Sequence, residues 1–291
     1  LFTPAFADIY RHTLLYFHYG NYDWSGLYQT NEHDFIFYSL THLFAQYDIP
    51  FEFISFLFVF ICYQISFYLF RQVIAFDKAN KWGRNTRFII FICFLFMVPF
   101  IAIVNGLRMA TAAYIGVLGW YWIFKQHRIR GILLFLVACG MHFGSLLFIP
   151  LILYTLLPRI NISRYIFIIG IGILMLLGNV LLNVIPQEYI TALELEDQVT
   201  GYMVESVERF DETMSFNGLI AMFLERTPLF VIGLIALFNK LNIDKRSLSI
   251  TYLFIWLAFL YFPFTVLFQR YAYFAIPILV FLAVRENTSP T

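Results

Sequence analysis

The chain has 291 residues, of which 61% are hydrophobic and 13% charged, and its formal net charge is +1. Soluble domains carry about a quarter charged residues, so this composition and a mean hydropathy of +0.75 exclude an ordinary soluble domain. The sequence has no long basic patch of the kind that binds nucleic acid, so we do not expect a nucleic-acid partner. Apolar runs long enough to cross a bilayer predict an all-α fold, a polytopic transmembrane helical bundle.

The first fifty residues are rich in tyrosine, histidine and acidic side chains. Within them, Phe37, Leu40 and Phe44 recur at helical spacing, which predicts a helix over Phe35 to Tyr47 lying in the membrane interface. The chain opens on a polar stretch without a signal-peptide pattern. We therefore expect a single transmembrane domain over the whole chain (1–291), preceded by at least one further transmembrane helix.

Seven largely apolar stretches have the length of transmembrane helices. They lie at about 51–70, 87–104, 107–124, 164–185, 219–238, 249–268 and 270–284. Basic connections follow the first, third and fifth of them, and short basic connections stay on the cytoplasmic side. The longer segment 186–218 is acidic, and we predict it to be an external loop, on the same outer side as the first fifty residues.

The apolar region 131–157 needs a different path, because basic residues on both flanks place its two ends on the cytoplasmic side. It is too short for two spans of about 20 residues. We predict a broken or re-entrant helical pair, with the break at Gly140–Gly144. The alternative is a single long tilted helix.

Three arginines lie at or within the predicted spans, where a charge costs about 2.5 to 3.5 kcal/mol. Arg108, Arg226 and Arg270 all approach the membrane from the outer face in this topology. Guanidinium groups bind phosphate through paired donors, so their convergence favours a pyrophosphate site. Each arginine alone is also explained by a side chain extending to lipid headgroups.

His142 lies in the predicted break. It is either a buried neutral imidazole bonded to a backbone carbonyl, or a general base or hydrogen-bond donor for substrate. The cysteines Cys62, Cys93 and Cys139 do not have metal-ligand spacing. We predict no metal site and no cofactor.

Two short motifs follow one another about thirty residues apart. They are Asn105-Gly106-Leu107-Arg108-Met109-Ala110 and Ala138-Cys139-Gly140-Met141-His142-Phe143-Gly144-Ser145. With Asp8–Arg11 before them and Gln269–Phe274 after them, this succession resembles the EpsG and Wzy family of polysaccharide repeat-unit polymerases. Met109 departs from the family pattern, in which glutamine often follows the arginine.

The resemblance implies a membrane glycosyltransferase at the outer face of the bacterial inner membrane. Its reaction would transfer a growing glycan from undecaprenyl pyrophosphate to a hydroxyl of the next lipid-linked repeat unit. Arg108 and Arg270 would bind the pyrophosphate and His142 would activate or place the acceptor hydroxyl. The expected substrate contacts are Arg226, Arg11, Asp8, His12, Asn105 and Tyr271. The expected partners are the undecaprenyl-pyrophosphate-linked oligosaccharide, membrane lipid and a chain-length regulator protein.

Two other functions remain open at this point. An O-antigen ligase would use the same chemistry to attach finished glycan to a lipid A core. A transporter or flippase for a lipid-linked or anionic solute would also combine a broken helix with charge inside the membrane.

Overall fold

The computed structural model describes residues 8–30, 33–75, 83, 88, 106–156, 162–163, 165–170, 173, 245–261, 271, 274–275 and 277–279. Over this part of the chain the elements are helices, in agreement with the predicted all-α class. They are α1 (Asp8–Tyr19), α2 (Trp24–Thr30), α3 (Phe35–Gln46), α4 (Phe51–Ala75), α5 (Leu107–Phe124), α6 (Arg128–Met141), a 3₁₀ helix (Phe143–Phe148), α7 (Ile149–Leu156) and α8 (Lys245–Tyr261).

The helix predicted over Phe35 to Tyr47 is confirmed as α3. Phe37 is fully buried on its inner side. Its ring packs against His12 of α1 at 5.3 Å and against Phe58 of α4 at 5.7 Å between centroids. Apolar burial on one face therefore ties α3 to both neighbouring helices.

Within the described part of the chain, one helical segment has the length and apolar composition to cross a membrane. It is Phe51–Gln72 in α4, with 22 residues. Helices α5 and α8 cover much of the predicted spans 107–124 and 249–268. The remaining predicted spans and the loop 186–218 lie wholly or largely outside the described residues. The polytopic arrangement and the single domain over 1–291 stay predictions.

Helices α5 and α6 form an antiparallel pair that approaches closely at two glycines. A Cβ on Gly119 would lie 2.9 Å from the Gly131 carbonyl oxygen, and one on Gly131 would lie 2.6 Å from that of Gly119. Small residues allow backbones to pack at this distance in membrane helix pairs. Lys125 lies in the turn between these helices, and Arg128 and Arg130 lie in the first turn of α6.

The helical break predicted at Gly140–Gly144 is present. Helix α6 ends at Met141, and His142 has an extended backbone with φ −155° and ψ 118°. The 3₁₀ helix follows at once and continues into α7. A single long helix over 131–157 is therefore wrong, and the re-entrant path stays a prediction.

The chain divides into two compact units, the first carrying α1 to α7 and the second beginning at Leu157. In the second unit, the Phe167 ring stacks on Tyr252 of α8 at 4.2 Å between centroids. The Trp256 indole donates to the Phe167 carbonyl over 2.9 Å. Aromatic packing thus holds 165–170 against α8.

Candidate functional site

The site centres on Asp34, which directly precedes α3. Its backbone is left-handed, with φ 59° and ψ 36°, a conformation that aspartate adopts more readily than most residues. Its side chain makes no capping bond to α3, although this is the usual role of an aspartate at a helix N-cap. The carboxylate is directed elsewhere.

The Asp34 carboxylate accepts hydrogen bonds from three groups outside α3. Arg108 Nη1 at the start of α5 donates to Oδ2 over 2.8 Å, and His142 Nδ1 donates to the same oxygen over 3.0 Å. The backbone N–H of Phe143 donates to Oδ1. One buried carboxylate therefore links α3, α5 and the break between α6 and the 3₁₀ helix.

The Arg108 guanidinium is oriented by more than its ion pair with Asp34. Nη1 also donates to the Tyr38 hydroxyl over 2.7 Å. The guanidinium carbon lies 5.6 Å from the Phe37 ring centre and 5.5 Å from that of Tyr38, within cation–π range. The side chain keeps 16% exposure. A guanidinium has five N–H donors, more than these two bonds require, so the anchored group can also engage an anion.

The orientation of His142 follows from the same carboxylate. A bond from Nδ1 to Asp34 places the proton of the neutral imidazole on Nδ1 and the lone pair on Nε2. Gly144 adjoins this nitrogen, since a Cβ there would lie 2.9 Å from Nε2. The Asp34–His142 pair has the arrangement of an orienting acid and a general base.

The surroundings also determine the charge of Asp34. Burial disfavours its carboxylate, but the hydrogen bond and electrostatic attraction of His142, the charge of Arg108 and the Phe143 N–H together lower the pKa of Asp34 below its ordinary value. Asp34 is therefore ionised at neutral pH and forms a buried ion pair with Arg108.

A protein-family model described as the EpsG family matches residues 7–289. The chain belongs to the EpsG family. No curated protein and no solved structure matches it. Both motifs that carried the sequence resemblance contribute to the site, Arg108 from the first and His142 from the second.

Membership in the EpsG family indicates the general function of the chain. The chain is a membrane-associated protein of polysaccharide biosynthesis, a polymerase of the glycosyltransferase type that acts on a lipid-linked oligosaccharide. The prediction of this family from the short motifs is confirmed.

Of the predicted site residues, Arg108 and His142 meet at Asp34. His12 is 2% exposed and lies edge-on against Phe37. Tyr271, in the second unit, is fully buried, and its hydroxyl donates to the Phe254 carbonyl over 2.7 Å.

The other predicted site residues have no described side chain. Asp8 and Arg11 lie on α1, and their side chains fall outside the described part of the chain. Asn105, Arg226 and Arg270 lie outside the described residues altogether. Their assignments as substrate or pyrophosphate contacts stay predictions.

Two residues of the candidate site were not predicted from the sequence, Asp34 and Tyr38. Asp34 is separated from Arg108 by 74 positions and from His142 by 108. The local pattern suggests only a helix cap before an apolar helix. The sequence offered one signal for such a residue. Arg108 lies at the outer start of a predicted span, and an arginine that is partly buried there requires a negatively charged partner.

Proposed function

We propose that this chain polymerises oligosaccharide repeat units carried on undecaprenyl pyrophosphate, at the outer face of the bacterial inner membrane. The single observation that supports it best is the Asp34 carboxylate that holds Arg108 and His142 together. A fixed cation for a leaving diphosphate and an oriented imidazole for an acceptor hydroxyl are the two groups that this transfer needs.

The α5–α6 pair supports an outward-facing site. Arg108 and His142 lie at one end of the pair, and Lys125, Arg128 and Arg130 lie in or beside the turn at its other end. Eighteen residues of α5 rise about 27 Å, close to the roughly 30 Å of a hydrocarbon core. Since short basic turns stay cytoplasmic, a membrane-spanning α5–α6 pair would present the Asp34 site at the opposite surface, and we propose this orientation.

Aromatic contacts at the basic turn agree with this orientation. The Lys125 ammonium lies 5.9 Å from the Tyr121 ring centre, and the Arg130 guanidinium lies 5.5 Å from that of Trp122. Tyrosine and tryptophan concentrate at membrane–water interfaces. The aromatic rings therefore suit a membrane–water interface, and the basic side chains favour its cytoplasmic side.

Arg108 supplies the charge stabilisation in the proposed transfer. The acceptor hydroxyl attacks the anomeric carbon of the donor glycan, and the bond from that carbon to the pyrophosphate oxygen breaks. The bonding electrons go to the diphosphate, so negative charge grows there. An arginine fixed by Asp34 and Tyr38 stabilises this charge without reorganising. We assign Arg270 and, as a binding residue, Arg226 to the same diphosphate.

His142 supplies the proton acceptor. The attacking hydroxyl loses its proton to Nε2 while Asp34 stabilises the resulting imidazolium through Nδ1. The products are undecaprenyl pyrophosphate and a glycan extended by one glycosidic bond on the second carrier lipid. Asp34 is a positioning residue in this scheme, since it acts through Arg108 and His142.

The proposal is tested by complementation of a deletion strain with variants, followed by separation of surface glycans by length. Arg108→Ala, His142→Ala and Arg270→Ala should each abolish the polymer ladder while the protein remains in the membrane. Arg108→Lys should also be poor, because ammonium lacks the paired donors of a guanidinium. Normal ladders from both Arg108→Ala and Arg270→Ala would contradict the site.

The phenotype of the deletion also distinguishes the other functions. Single capped repeat units indicate a polymerase, whereas long chains retained on the carrier lipid indicate a ligase. Solute uptake by reconstituted vesicles without a change in glycan length indicates a transporter.

A further inference from the structure

A cleft of about 500 Å³ lies at the C-terminal end of α3, away from Asp34. It is lined by parts of α1, by Gly20 and Asn21 just after α1, by the last turn of α3, the connection Tyr47–Pro50 and the first turn of α4. Its volume falls in the range of about 300 to 1,000 Å³ that is typical of small-molecule sites. None of its lining residues contributes to the Asp34 site.

The lining combines carboxylates, amides and aromatic rings. Asp48 and Glu52 supply acceptors, and Asn21 and Gln46 supply both donors and acceptors. Phe17 adds aromatic surface and is 70% exposed, whereas Tyr16 is buried behind the lining and its hydroxyl donates to the Ile49 carbonyl. Sugars present neighbouring hydroxyls and an apolar ring face. This lining offers polar partners for the hydroxyls and flat apolar surface for the ring.

The charge of the cleft distinguishes between the two parts of a lipid-linked oligosaccharide. Asp48 and Glu52 line it, and no lysine or arginine is among its described lining residues. Burial and then the negative charge of Asp48 raise the pKa of the Tyr16 hydroxyl above its ordinary value. An electronegative cleft repels a diphosphate and accepts a neutral polyol.

The position of the cleft relative to Asp34 is set by α3. Asp34 directly precedes this helix, and Gln46 ends it after 12 residues. At 1.5 Å per residue the two sites lie about 18 Å apart along one rigid element. A glycan whose diphosphate end lies at Arg108 is then several sugar units long before it reaches the cleft.

We propose that the cleft binds a neutral segment of the glycan and retains the growing chain between transfers. The inference rests on the proposed function, since it takes the glycan to be the molecule handled. Retention raises the effective concentration of the chain end near Arg108, so more units are added before release. The cleft would therefore control polymer length and not the transfer itself.

Binding is tested with the purified full chain in lipid nanodiscs, titrated calorimetrically with neutral, lipid-free oligosaccharides released from the host's own surface polymer. The double variant Asp48→Asn/Glu52→Gln keeps the shape of both side chains. Asparagine also tolerates the left-handed backbone at position 48, where φ is 53°. The double variant replaces charge-assisted bonds with neutral ones and should weaken binding by about ten-fold or more. The second variant, Asn21→Ala on an exposed position, should weaken binding by several-fold.

The matched control is Asp23→Asn. Asp23 is an exposed acid in the connection between α1 and α2, outside the cleft lining, where it accepts from Ser25 and Gly26. It should bind as wild type does, and inorganic pyrophosphate should not displace the oligosaccharide. No saturable binding by the wild type, or equal binding by both cleft variants, would overturn the inference. Phospholipid that co-purifies with the wild type and is lost from the cleft variants would identify lipid as the occupant and also overturn it.

The cellular experiment separates this inference from the proposed function. Cells carrying Asp48→Asn/Glu52→Gln should make polymer with a shorter modal length, whereas Arg108→Ala should make none. Unchanged length together with unchanged binding would refute the cleft assignment while the polymerase assignment stands. Absence of a ladder in wild-type complementation would refute the polymerase assignment instead.

Discussion

Replacing Asp34 with asparagine removes the negative charge from the centre of the site and changes little else. Asparagine has nearly the same volume and tolerates the left-handed backbone at this position. Arg108 and His142 both donate to Oδ2, and the Phe143 N–H donates to Oδ1. Whichever of these two positions the amide NH₂ group takes, it faces an N–H donor, and the neutral amide oxygen is a weaker acceptor than a carboxylate. The variant therefore leaves Arg108 without its counter-charge and weakens the bond that sets the tautomer of His142.

The cost of this change can be worked from the burial of the two partners. Removing one partner of a buried ion pair costs about 3 to 5 kcal/mol. Asp34 is 6% exposed but Arg108 is 16% exposed, so water recovers part of the lost energy. We expect the free energy of unfolding to fall by about 2 to 3 kcal/mol. The polymerisation rate should fall by about 10² to 10⁴-fold, the usual contribution of a positioned general base.

Two assays read these effects separately. Thermal unfolding of the detergent-solubilised protein reports stability, and the initial rate of ladder formation at a permissive temperature reports activity. Asp23→Asn provides the matched control, because it removes the same charge from a fully exposed carboxylate. An Asp34→Asn variant with a rate within about three-fold of wild type would refute the role of Asp34 in orienting a base of this kind.

Three further predictions follow from the same geometry. Because the pKa of Asp34 is lowered in the folded protein, its stabilising contribution is complete above the ordinary aspartate pKa of about 3.9 and is lost as the pH falls through the lower folded value. The difference in unfolding temperature between wild type and Asp34→Asn should therefore shrink below about pH 4. A constant difference down to pH 2 would contradict the pairing. Gly144→Ala should displace the His142 ring, because the new Cβ lies 2.9 Å from Nε2, so the rate should fall by about ten-fold or more in a ladder assay while membrane content is unchanged. Gly131→Ala should destabilise the α5–α6 pair by about 1 to 3 kcal/mol, because the new Cβ contacts the Gly119 carbonyl. The effect is measured as a lower unfolding temperature. Gly83→Ala is the control, because a Cβ there meets nothing within 4 Å.

Several of the described helices were predictable from the sequence. Apolar periodicity indicated α3, and the long apolar run after Phe51 indicated α4. The glycines around His142 indicated the helical break. Each of these features depends on residues that are close in sequence, which is where periodicity and turn chemistry are informative.

The convergence on Asp34 was not predictable in the same way. Arg108 and His142 were singled out because charge and imidazole at membrane depth need a reason. Their shared partner lies in the first fifty residues, next to His33 and before an apolar helix, and nothing local distinguishes it from a helix cap. Only the packing of α3 against α6 and α4 brings that carboxylate to the two motifs.

The pairing of Arg108 also refines the sequence-based hypothesis. Charge alone suggested that the anionic partner of Arg108 is the diphosphate, whereas the structure shows that Arg108 is already bound by Asp34 and Tyr38. A bound diphosphate would therefore add to an anchored guanidinium. Preorganisation of this kind favours the transition state, in which the diphosphate charge is largest.

The most direct test of the account uses purified protein in proteoliposomes with one lipid-linked repeat unit as the sole substrate. Glycan length and free undecaprenyl pyrophosphate are measured together over time. We expect a ladder with one carrier lipid released for each glycosidic bond, and loss of both signals in Arg108→Ala. A wild-type protein that forms no ladder, or an Arg108→Ala variant that matches the wild type in both signals, would contradict it.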